Sequence, residues 1–312
     1  MASDLVIPQL MQHRLLQLGE IGAGWLERLD TLLNTLQQRW QVTVREQLHG
    51  GTEALVLLCT YSAESPRQGL AVLKLGIPGS LMGEIRTLQL ARGSGYVEAI
   101  CADSARDALL MPRLGSRLAD LPLSVTAQIQ TICATLHLAW RRLDDAGGLR
   151  SGAQQAVAQR QHIESAWQQL QPDYPTKIRD RAVEYSRLRE AADHAGIRRL
   201  VHGDAHIWNT LQDPQVPGQF KFVDPEGLYA EPALDLGISM REWKEDLLDG
   251  DTLQIGRGRC ALLADLTGVD ADAIWQWGFI EHVACGLLDL QLGDNTAADQ
   301  HLTIASYWLA QP

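Results

Sequence analysis

The stretch HGDAHIWN, residues 202–209, places polar side chains around two short apolar segments, and VDPE, residues 223–226, follows it along the chain. The apolar run before His202 ends in a turn at Gly203, so Asp204 falls at the end of a predicted strand. A carboxylate in that position suits a general base, or an acceptor that orients a hydroxyl group. Because Asp, Asn and Gly are also the commonest turn residues, a purely structural role for each is the competing interpretation.

A predicted hairpin brings the second acidic segment back to the first. The segments 210–212 and 219–223 have the character of short strands, and the turn DPQVPG joins them. This pairing sets Asp224 beside Asn209. A carboxylate and a carboxamide are hard oxygen ligands, which suit Mg²⁺ when phosphate oxygens and water complete its shell.

Composition and charge restrict the class of protein. The 312 residues are 46% apolar and 21% charged, with a net charge of −11, which is typical of a folded chain long enough for two lobes. The sequence has no basic run suited to nucleic-acid phosphates, no apolar run of membrane-spanning length and no basic start of a secretory signal. Five separated cysteines without a CxxC pair predict reduced thiols. We therefore expect a cytoplasmic monomer or homodimer that binds neither nucleic acid nor a membrane.

The N-terminal part has a β-rich pattern. Apolar residues from Trp25 to Trp40 recur at three- and four-residue steps, which predicts one helix. Three β-rich runs, residues 42–48, 53–61 and 70–77, are separated by turn residues and predict an antiparallel meander. A helix is predicted at about 81–91, followed by two short apolar runs.

The remainder of the chain is mainly helical in pattern. Helices are predicted at 123–143 and between about 154 and 195, where Pro172 and Pro175 interrupt them. From residue 234 onward the pattern is again mostly helical. The predicted fold is therefore α+β, with a β-rich part at residues 1–113 and a helical part at 114–312 that contains the opening motif.

Lys74 stands inside the apolar strand LAVLKLGI. A buried lysine is costly unless it is paired, and Glu84 stands near the start of the next helix. Two structural alternatives remain open. Lys74 could be an edge residue whose charge reaches solvent, and Glu84 could be an acid favoured by the helix dipole.

The order of these motifs resembles the aminoglycoside phosphotransferase family, whose fold is that of protein kinases. HGDAHIWN and VDPE are similar to the family's catalytic and metal loops, and the run DPEGLYAEPALD is similar to that of the streptomycin 6-phosphotransferase and aminoglycoside–hydroxyurea resistance kinase group. The resemblance spans most of the chain. It implies a small antiparallel N-terminal lobe, a helical C-terminal lobe, and ATP and Mg²⁺ as cofactors.

The resemblance also implies a role for each site residue. Asp204 resembles the catalytic base, and Asn209 and Asp224 resemble the Mg²⁺ ligands. His202 and Asp235 resemble residues that brace the catalytic loop. In the N-terminal lobe, the remaining resemblances concern the nucleotide: the phosphate clamp Lys74 with Glu84, the phosphate loop Gly50, Gly51 and Thr52, and the adenine-binding hinge Met111, Arg113 and Leu114.

The phosphate loop departs from the family pattern because a full GxGxxG is absent and GG turns are common in hairpins. Trp208 also stands where many relatives have a smaller residue.

The acceptor is the least determined part of the function. The resemblance implies a small-molecule hydroxyl, of a streptomycin-type aminoglycoside or of a sugar, amino alcohol or fructosamine-like metabolite. If the acceptor is cationic, acids of the C-terminal helices are expected to line its pocket, although acidic runs are commonly solvated faces. A nucleotide-binding pseudokinase with a regulatory role is the alternative from another class of protein. The candidate acids are Glu242, Glu245, Asp246, Asp249, Glu281 and Asp289.

Overall fold

The computed structural model describes residues 5–48 and 53–309, and the chain divides into two compact units, Met1–Gly115 and Ser116–Pro312. The predicted boundary between residues 113 and 114 lies close to this division, while the functions assigned to the two parts remain predictions. Among the described residues, no helix combines the length and apolar character needed to cross a membrane. The five cysteines all lie within the described residues and are free thiols.

The N-terminal unit combines helices with strands. In chain order they are α1 (Gln9–Gln17), α2 (Glu20–Glu27), α3 (Leu29–Trp40), β1 (Val42–Gln47), β2 (Ala54–Tyr61), β3 (Leu70–Gly76), α4 (Met82–Ala91), β4 (Cys101–Asp103) and β5 (Ala108–Pro112). Within the described part of this unit the strands form an antiparallel sheet in the order β1-β2-β3-β5-β4.

One face of this sheet forms the core of the unit. Leu55 and Leu57 of β2 and Leu73 and Leu75 of β3 are fully buried and share a core cluster with Leu36 of α3 and other helix residues. Since side chains alternate along a strand, Lys74 projects from the opposite face of β3. β3 is a central strand, so the interpretation of Lys74 as an edge residue is wrong.

Two helices differ from the sequence prediction. The helix predicted from Trp25 to Trp40 is interrupted at Arg28, whose φ of −96° and ψ of 1° fall outside helical values. The helix predicted for 123–143 ends at Ala139, because Trp140 turns to an extended conformation and the backbone of Arg141 bridges to Leu200.

The C-terminal unit is mainly helical. After a 3₁₀ turn at Leu118–Asp120 come α5 (Val125–Ala139), β6 (Arg150–Ser151), α6 (Gly152–Leu170), α7 (Thr176–Ala192), β7 (Arg199–Val201), β8 (Thr210–Gln212), β9 (Phe220–Phe222), β10 (Leu228–Ala230), α8 (Ala233–Arg241), α9 (Lys244–Leu248), α10 (Thr252–Thr267), α11 (Ala271–Leu292) and α12 (Asn295–Trp308). β10 pairs with β6 and β7, and β8 pairs with β9 as a hairpin.

Helix α11 lies in the core of this unit. Its residues Trp277, Phe279, Ile280, Val283 and Leu287 are fully buried, as expected for a helix that is apolar on nearly all sides. Asp270 caps its first turn by accepting hydrogen bonds from the backbone N–H groups of residues 272 and 273. The buried helix therefore provides a fixed support for α8, whose first turn contains Asp235 and whose last residue is Arg241.

A chain of donors fixes the end of α8. Lys244 Nζ lies 3.4 Å from His301 Nε2, His301 Nδ1 lies 2.9 Å from His282 Nδ1, and His282 Nε2 lies 3.3 Å from the carbonyl oxygen of Met240. A lysine ammonium can only donate a hydrogen bond and a carbonyl oxygen can only accept one, so the direction of each hydrogen bond in the chain is determined. His301 donates from Nδ1, His282 donates from Nε2, and both rings are neutral.

The close packing of α8 on α11 depends on Gly237. We expect Gly237→Ala to destabilise the protein by about 1–3 kcal/mol, because overpacking a core forces neighbouring groups apart. A Cβ atom there would lie 2.6 Å from Trp277 Cβ and 3.0 Å from the Trp277 carbonyl carbon. Urea unfolding followed by circular dichroism measures the effect.

Gly258 of α10 is the matched control, since a Cβ atom there meets nothing within 4 Å. Gly258→Ala should leave the protein equally stable or stabilise it by up to about 1 kcal/mol. Equal urea midpoints for the two variants would contradict the packing argument.

Candidate active site

Asp235 fixes the backbone of the loop that follows β7. Its carboxylate accepts hydrogen bonds from the backbone N–H of His202 at 3.0 Å, the backbone N–H of Gly203 at 2.7 Å and Nε1 of Trp140 at 2.8 Å. The side chain is fully buried. Burial raises the pKa of Asp235, although His202 and the three donors oppose that shift. Asp235 thus acts on the loop through hydrogen bonds that a turn residue alone would not provide.

His202 has a defined tautomer. Its Nε2 lies 2.7 Å from the carbonyl oxygen of Val223, so it donates, and its Nδ1 accepts from the backbone N–H of Asp204 at 3.1 Å. The ring is fully buried and packs edge-on against Phe222. Burial lowers the pKa of His202, which agrees with the neutral form. The histidine therefore links the loop to the hairpin β8–β9.

Gly203 is required by both conformation and space. Its φ is +85°, a region that side chains rarely adopt. A Cβ atom would also lie 2.6 Å from Leu228 Cδ1 and 2.8 Å from Glu226 Cβ. This turn is what directs Asp204 away from the strand.

Asp204 is held on both carboxylate oxygens. Oδ1 accepts from Nη2 of Arg241 at 2.6 Å, and Oδ2 lies 3.1 Å from Nε2 of His206. The Trp208 backbone N–H donates to Nδ1 of His206 at 3.2 Å, so Nε2 carries the proton that His206 donates to Asp204. Burial favours a raised pKa for Asp204, but the His206 hydrogen bond and the Arg241 charge outweigh it and hold that pKa well below its usual range.

Asn209 and Asp224 flank the hairpin. The backbone N–H of Val223 donates to the carbonyl oxygen of Asn209 at 3.0 Å, so Asp224 follows one residue after the position facing Asn209. Nδ2 of Asn209 donates to the Asp204 carbonyl oxygen at 3.1 Å. Asp224 has a φ of +59°, the left-handed region. The hairpin thus brings Asp204, Asn209 and Asp224 into one short region of the C-terminal unit.

The N-terminal unit contains the second set of predicted residues. Lys74 Nζ lies 2.6 Å from Glu84 Oε2, and both side chains are buried. Met111 pairs with Val72 in the sheet, and the Arg113 backbone N–H donates to the Leu70 carbonyl oxygen. Leu114 is buried. The predicted loop residues Gly50, Gly51 and Thr52 lie outside the described residues.

Trp208 is explained by its neighbour Arg117. The indole is about half exposed, at 51%, and the Arg117 guanidinium carbon lies 4.9 Å from its ring centroid. Such a cation–π contact contributes about 0.5–1 kcal/mol at an exposed site. Arg117 also pairs with Asp120 at 2.8 Å. Trp208 thus packs over the segment before α5.

Sequence reasoning missed His206 and Arg241. His206 lies inside the quoted motif, two residues after Asp204, and its position was the available signal. Arg241 follows Asp204 by 37 residues and carries no local signal. Glu281 was included only among the candidate pocket acids, and here it accepts from Nη1 of Arg241 at 2.7 Å.

Comparison with known sequences identifies the class of enzyme as a phosphotransferase. A profile of the Phosphotransferase enzyme family matches residues 44–271, which is most of the chain. The chain belongs to this family. Streptomycin 6-kinase from Streptomyces glaucescens is 25% identical over 290 residues, which is 92% of this chain and 91% of that protein.

Solved structures support the same fold. Choline kinase from Streptococcus pneumoniae has a TM-score of 0.58 at 16% identity, covering 91% of this chain and 99% of its own. An aminoglycoside phosphotransferase from Alicyclobacillus acidocaldarius has a TM-score of 0.55 at 13% identity, covering 89% and 93%. The predicted α+β, protein-kinase-like fold is confirmed. The chain is an enzyme that uses ATP to phosphorylate a small-molecule hydroxyl group, which disfavours the pseudokinase alternative.

Removing the Asp235 carboxylate tests its role as a brace. Asp235→Ala should destabilise the protein by about 2–4 kcal/mol, because it leaves buried donors without an acceptor. Differential scanning calorimetry measures the loss. Asp265→Ala, at an exposed position on α10, is the control and should shift the free energy of unfolding by less than about 0.5 kcal/mol. Similar melting temperatures for both variants would argue against the brace.

Proposed function

We propose that the acceptor of this kinase is a hydroxyl group of a streptomycin-type aminoglycoside. The similarity to streptomycin 6-kinase extends over nearly the full length of both proteins and supports this acceptor. The observation that carries the proposed chemistry is the position of Asp204 beside Asn209, with Asp224 at the end of the same hairpin. The net charge of −11 favours the approach of a cationic acceptor.

Asp204 acts as the base in this proposal. It orients the acceptor hydroxyl and takes its proton as the oxygen attacks the γ-phosphorus of ATP and ADP leaves. Because its pKa is held low, Asp204 is a weak base before transfer begins. Its main contribution is therefore orientation, with proton acceptance late in the transfer, as suits a loose phosphoryl-transfer transition state.

Asn209 and Asp224 are the residues that would hold Mg²⁺. The Asn209 amide nitrogen is engaged with Asp204, which leaves the amide oxygen as the atom able to bind a cation. Asp224 adds a carboxylate, so the donor set consists of hard oxygen atoms, and phosphate and water would complete it. When bound, Mg²⁺ neutralises charge on the phosphoryl oxygens.

Lys74 would bind the α- and β-phosphates of ATP. Its ion pair with buried Glu84 keeps the ammonium group charged and in a fixed position on a central strand. A buried lysine without that partner would favour its neutral form. Glu84 therefore acts as a support for Lys74 in addition to providing an acidic side chain in the first turn of α4.

An amino alcohol is the second candidate acceptor. The fold similarity to a choline kinase favours it, and an amino alcohol of that type is also a small cation with a hydroxyl group. ADP release with streptomycin, other aminoglycosides, amino alcohols and sugars distinguishes the candidates. Turnover with an amino alcohol but not with any aminoglycoside would overturn the proposed acceptor while leaving the kinase chemistry intact.

Asp204→Ala should reduce kcat by about 10²–10⁴-fold on the best acceptor, because the hydroxyl loses its orienting base. The affinity for Mg²⁺–ATP should stay within about twofold of the wild type, since Asp204 is not assigned to the nucleotide. A twofold change in affinity corresponds to a change in binding free energy of roughly 0.5 kcal/mol. Steady-state kinetics and isothermal titration calorimetry give the two quantities. Near-normal turnover would remove Asp204 from the reaction.

Asp224→Asn should weaken Mg²⁺–ATP binding by at least about tenfold, because the carboxylate charge is lost from the proposed metal site. Asparagine is chosen because it tolerates the left-handed backbone at this position better than alanine does. Calorimetry with Mg²⁺–ATP measures the change, and a parallel titration with metal-free ATP is the control. An unchanged affinity in the presence of Mg²⁺ would exclude Asp224 as a ligand.

A further inference from the structure

We infer that Arg241 is a positioning residue that acts through Asp204, holding its carboxylate in the orientation that the acceptor hydroxyl requires. The inference rests on the proposed role of Asp204 as the base. It assigns a function to a charged side chain that lies 37 residues away in sequence and bonds directly to Asp204.

Arg241 connects the catalytic loop to two core helices. Its Nη2 donates to Asp204 Oδ1 at 2.6 Å, and its Nη1 donates to Glu281 Oε2 on α11 at 2.7 Å. Nε2 of Gln159 on α6 donates to the other oxygen of Glu281 at 2.6 Å. Charge-assisted bonds of this length are among the strongest in proteins. Asp204 is thus tied through Arg241 and Glu281 to the middle of the helical unit.

The backbone on either side of Arg241 is fixed independently of this ion pair. Buried Arg259 donates from Nη1 to the carbonyl oxygens of Met240 and Glu242, and from Nη2 to Asp246 at 2.8 Å. His282 donates to the Met240 carbonyl oxygen as well. These donors satisfy carbonyl groups that the end of α8 would leave unpaired. The backbone position of Arg241 is therefore fixed without any contribution from its ion pair with Asp204.

Arg241 and His206 hold opposite oxygens of one carboxylate. Arg241 takes Oδ1, and His206 donates to Oδ2. Rotation of the carboxylate would lengthen both bonds, so its plane is fixed. Oδ2 also accepts from Nδ2 of Asn209 at 3.4 Å. Because a carboxylate oxygen can accept a second hydrogen bond, Oδ1 remains able to receive the acceptor hydroxyl.

The surrounding charges allow Arg241 to stay ionised while bound to Asp204. Glu281 is buried, and Glu242 Oε1 lies 4.0 Å from Arg241 Nε. Cys285 Sγ lies 3.2 Å from Nη1. Three carboxylates thus surround one guanidinium group, so the cation is balanced even when Asp204 engages a substrate.

The experiment compares Arg241→Met with Arg241→Lys. Loss of the guanidinium fork should lower kcat by about 10- to 100-fold, because misplacement of a catalytic group by about 1 Å has effects of that size. The KM for Mg²⁺–ATP should change by less than about twofold, since Arg241 acts only on the hydroxyl side. Lysine keeps the charge but lacks the rigid planar fork that holds Asp204 and Glu281 at fixed angles, so Arg241→Lys should recover part of kcat. Arg257→Met, at an exposed position on α10, is the matched control and should keep wild-type kinetics.

A second variant separates positioning from folding. Arg241→Met leaves Glu281 as a buried unpaired charge, so Arg241→Met with Glu281→Gln removes both charges together. This double variant should unfold at nearly the wild-type temperature and still show the low kcat. Added methylguanidine should restore activity to Arg241→Ala without changing its folded fraction by circular dichroism.

The outcomes distinguish the two proposals. A folded double variant with wild-type kcat, or a loss of activity that only follows the folded fraction, would overturn the positioning role. In the Asp204→Asn background, Arg241→Met should cause no further loss of kcat, and a full additional loss would show that Arg241 acts by another route. If Asp204→Asn alone retains normal turnover, the proposed base is wrong instead.

Discussion

The three hydrogen bonds to the buried carboxylate of Asp235 are the constraint on which the rest of the site depends. Asp235 lies in the first turn of α8, and its donors are Trp140, which follows α5, and the backbone N–H groups of His202 and Gly203. The hydrogen bonds therefore connect α8 to the end of α5 and to the loop. The other end of the same helix carries Arg241, which bonds to Asp204. One short helix thus controls the loop from both ends, with its amino-terminal end fixing the backbone and its carboxy-terminal end fixing the side chain. Helix α11, buried beneath it, keeps that helix in place.

The sequence predicted the parts of the site that depend on local order. The hairpin that joins Asn209 to Asp224 follows from two short apolar runs and a proline–glycine turn between them. The cost of burying a lysine in an apolar strand predicted that Lys74 needs a partner, and the family resemblance implied that Glu84 is that partner. In each case a property of a few neighbouring residues determined the structure. Their roles toward Mg²⁺ and ATP remain predictions.

The sequence did not predict the contacts that depend on tertiary packing. Apolar periodicity continues through Trp140, so it could not indicate that this residue leaves α5 to donate to Asp235. It could not pair Arg241 with Asp204 or Glu281, because long-range ion pairs depend on how α8 lies against α11. Trp208 is a related case. Its exposed indole is explained by Arg117, which belongs to a different segment of the unit.

The neutral histidine pair that fixes the end of α8 also sets an acid limit on this architecture. Burial and the nearby charge of Lys244 lower the pKa of His301 to about 3, and burial and His301 lower that of His282 well below its usual value. Above about pH 6.5, where free histidine is neutral, the pair exerts no penalty. As the pH falls below that value, these histidines become protonated in the unfolded chain but stay neutral in the folded protein. The folded state therefore loses stability progressively as the pH falls toward the folded-state pKa. Two buried histidines thus limit how far the pH can fall before the end of α8 that carries Arg241 loses stability.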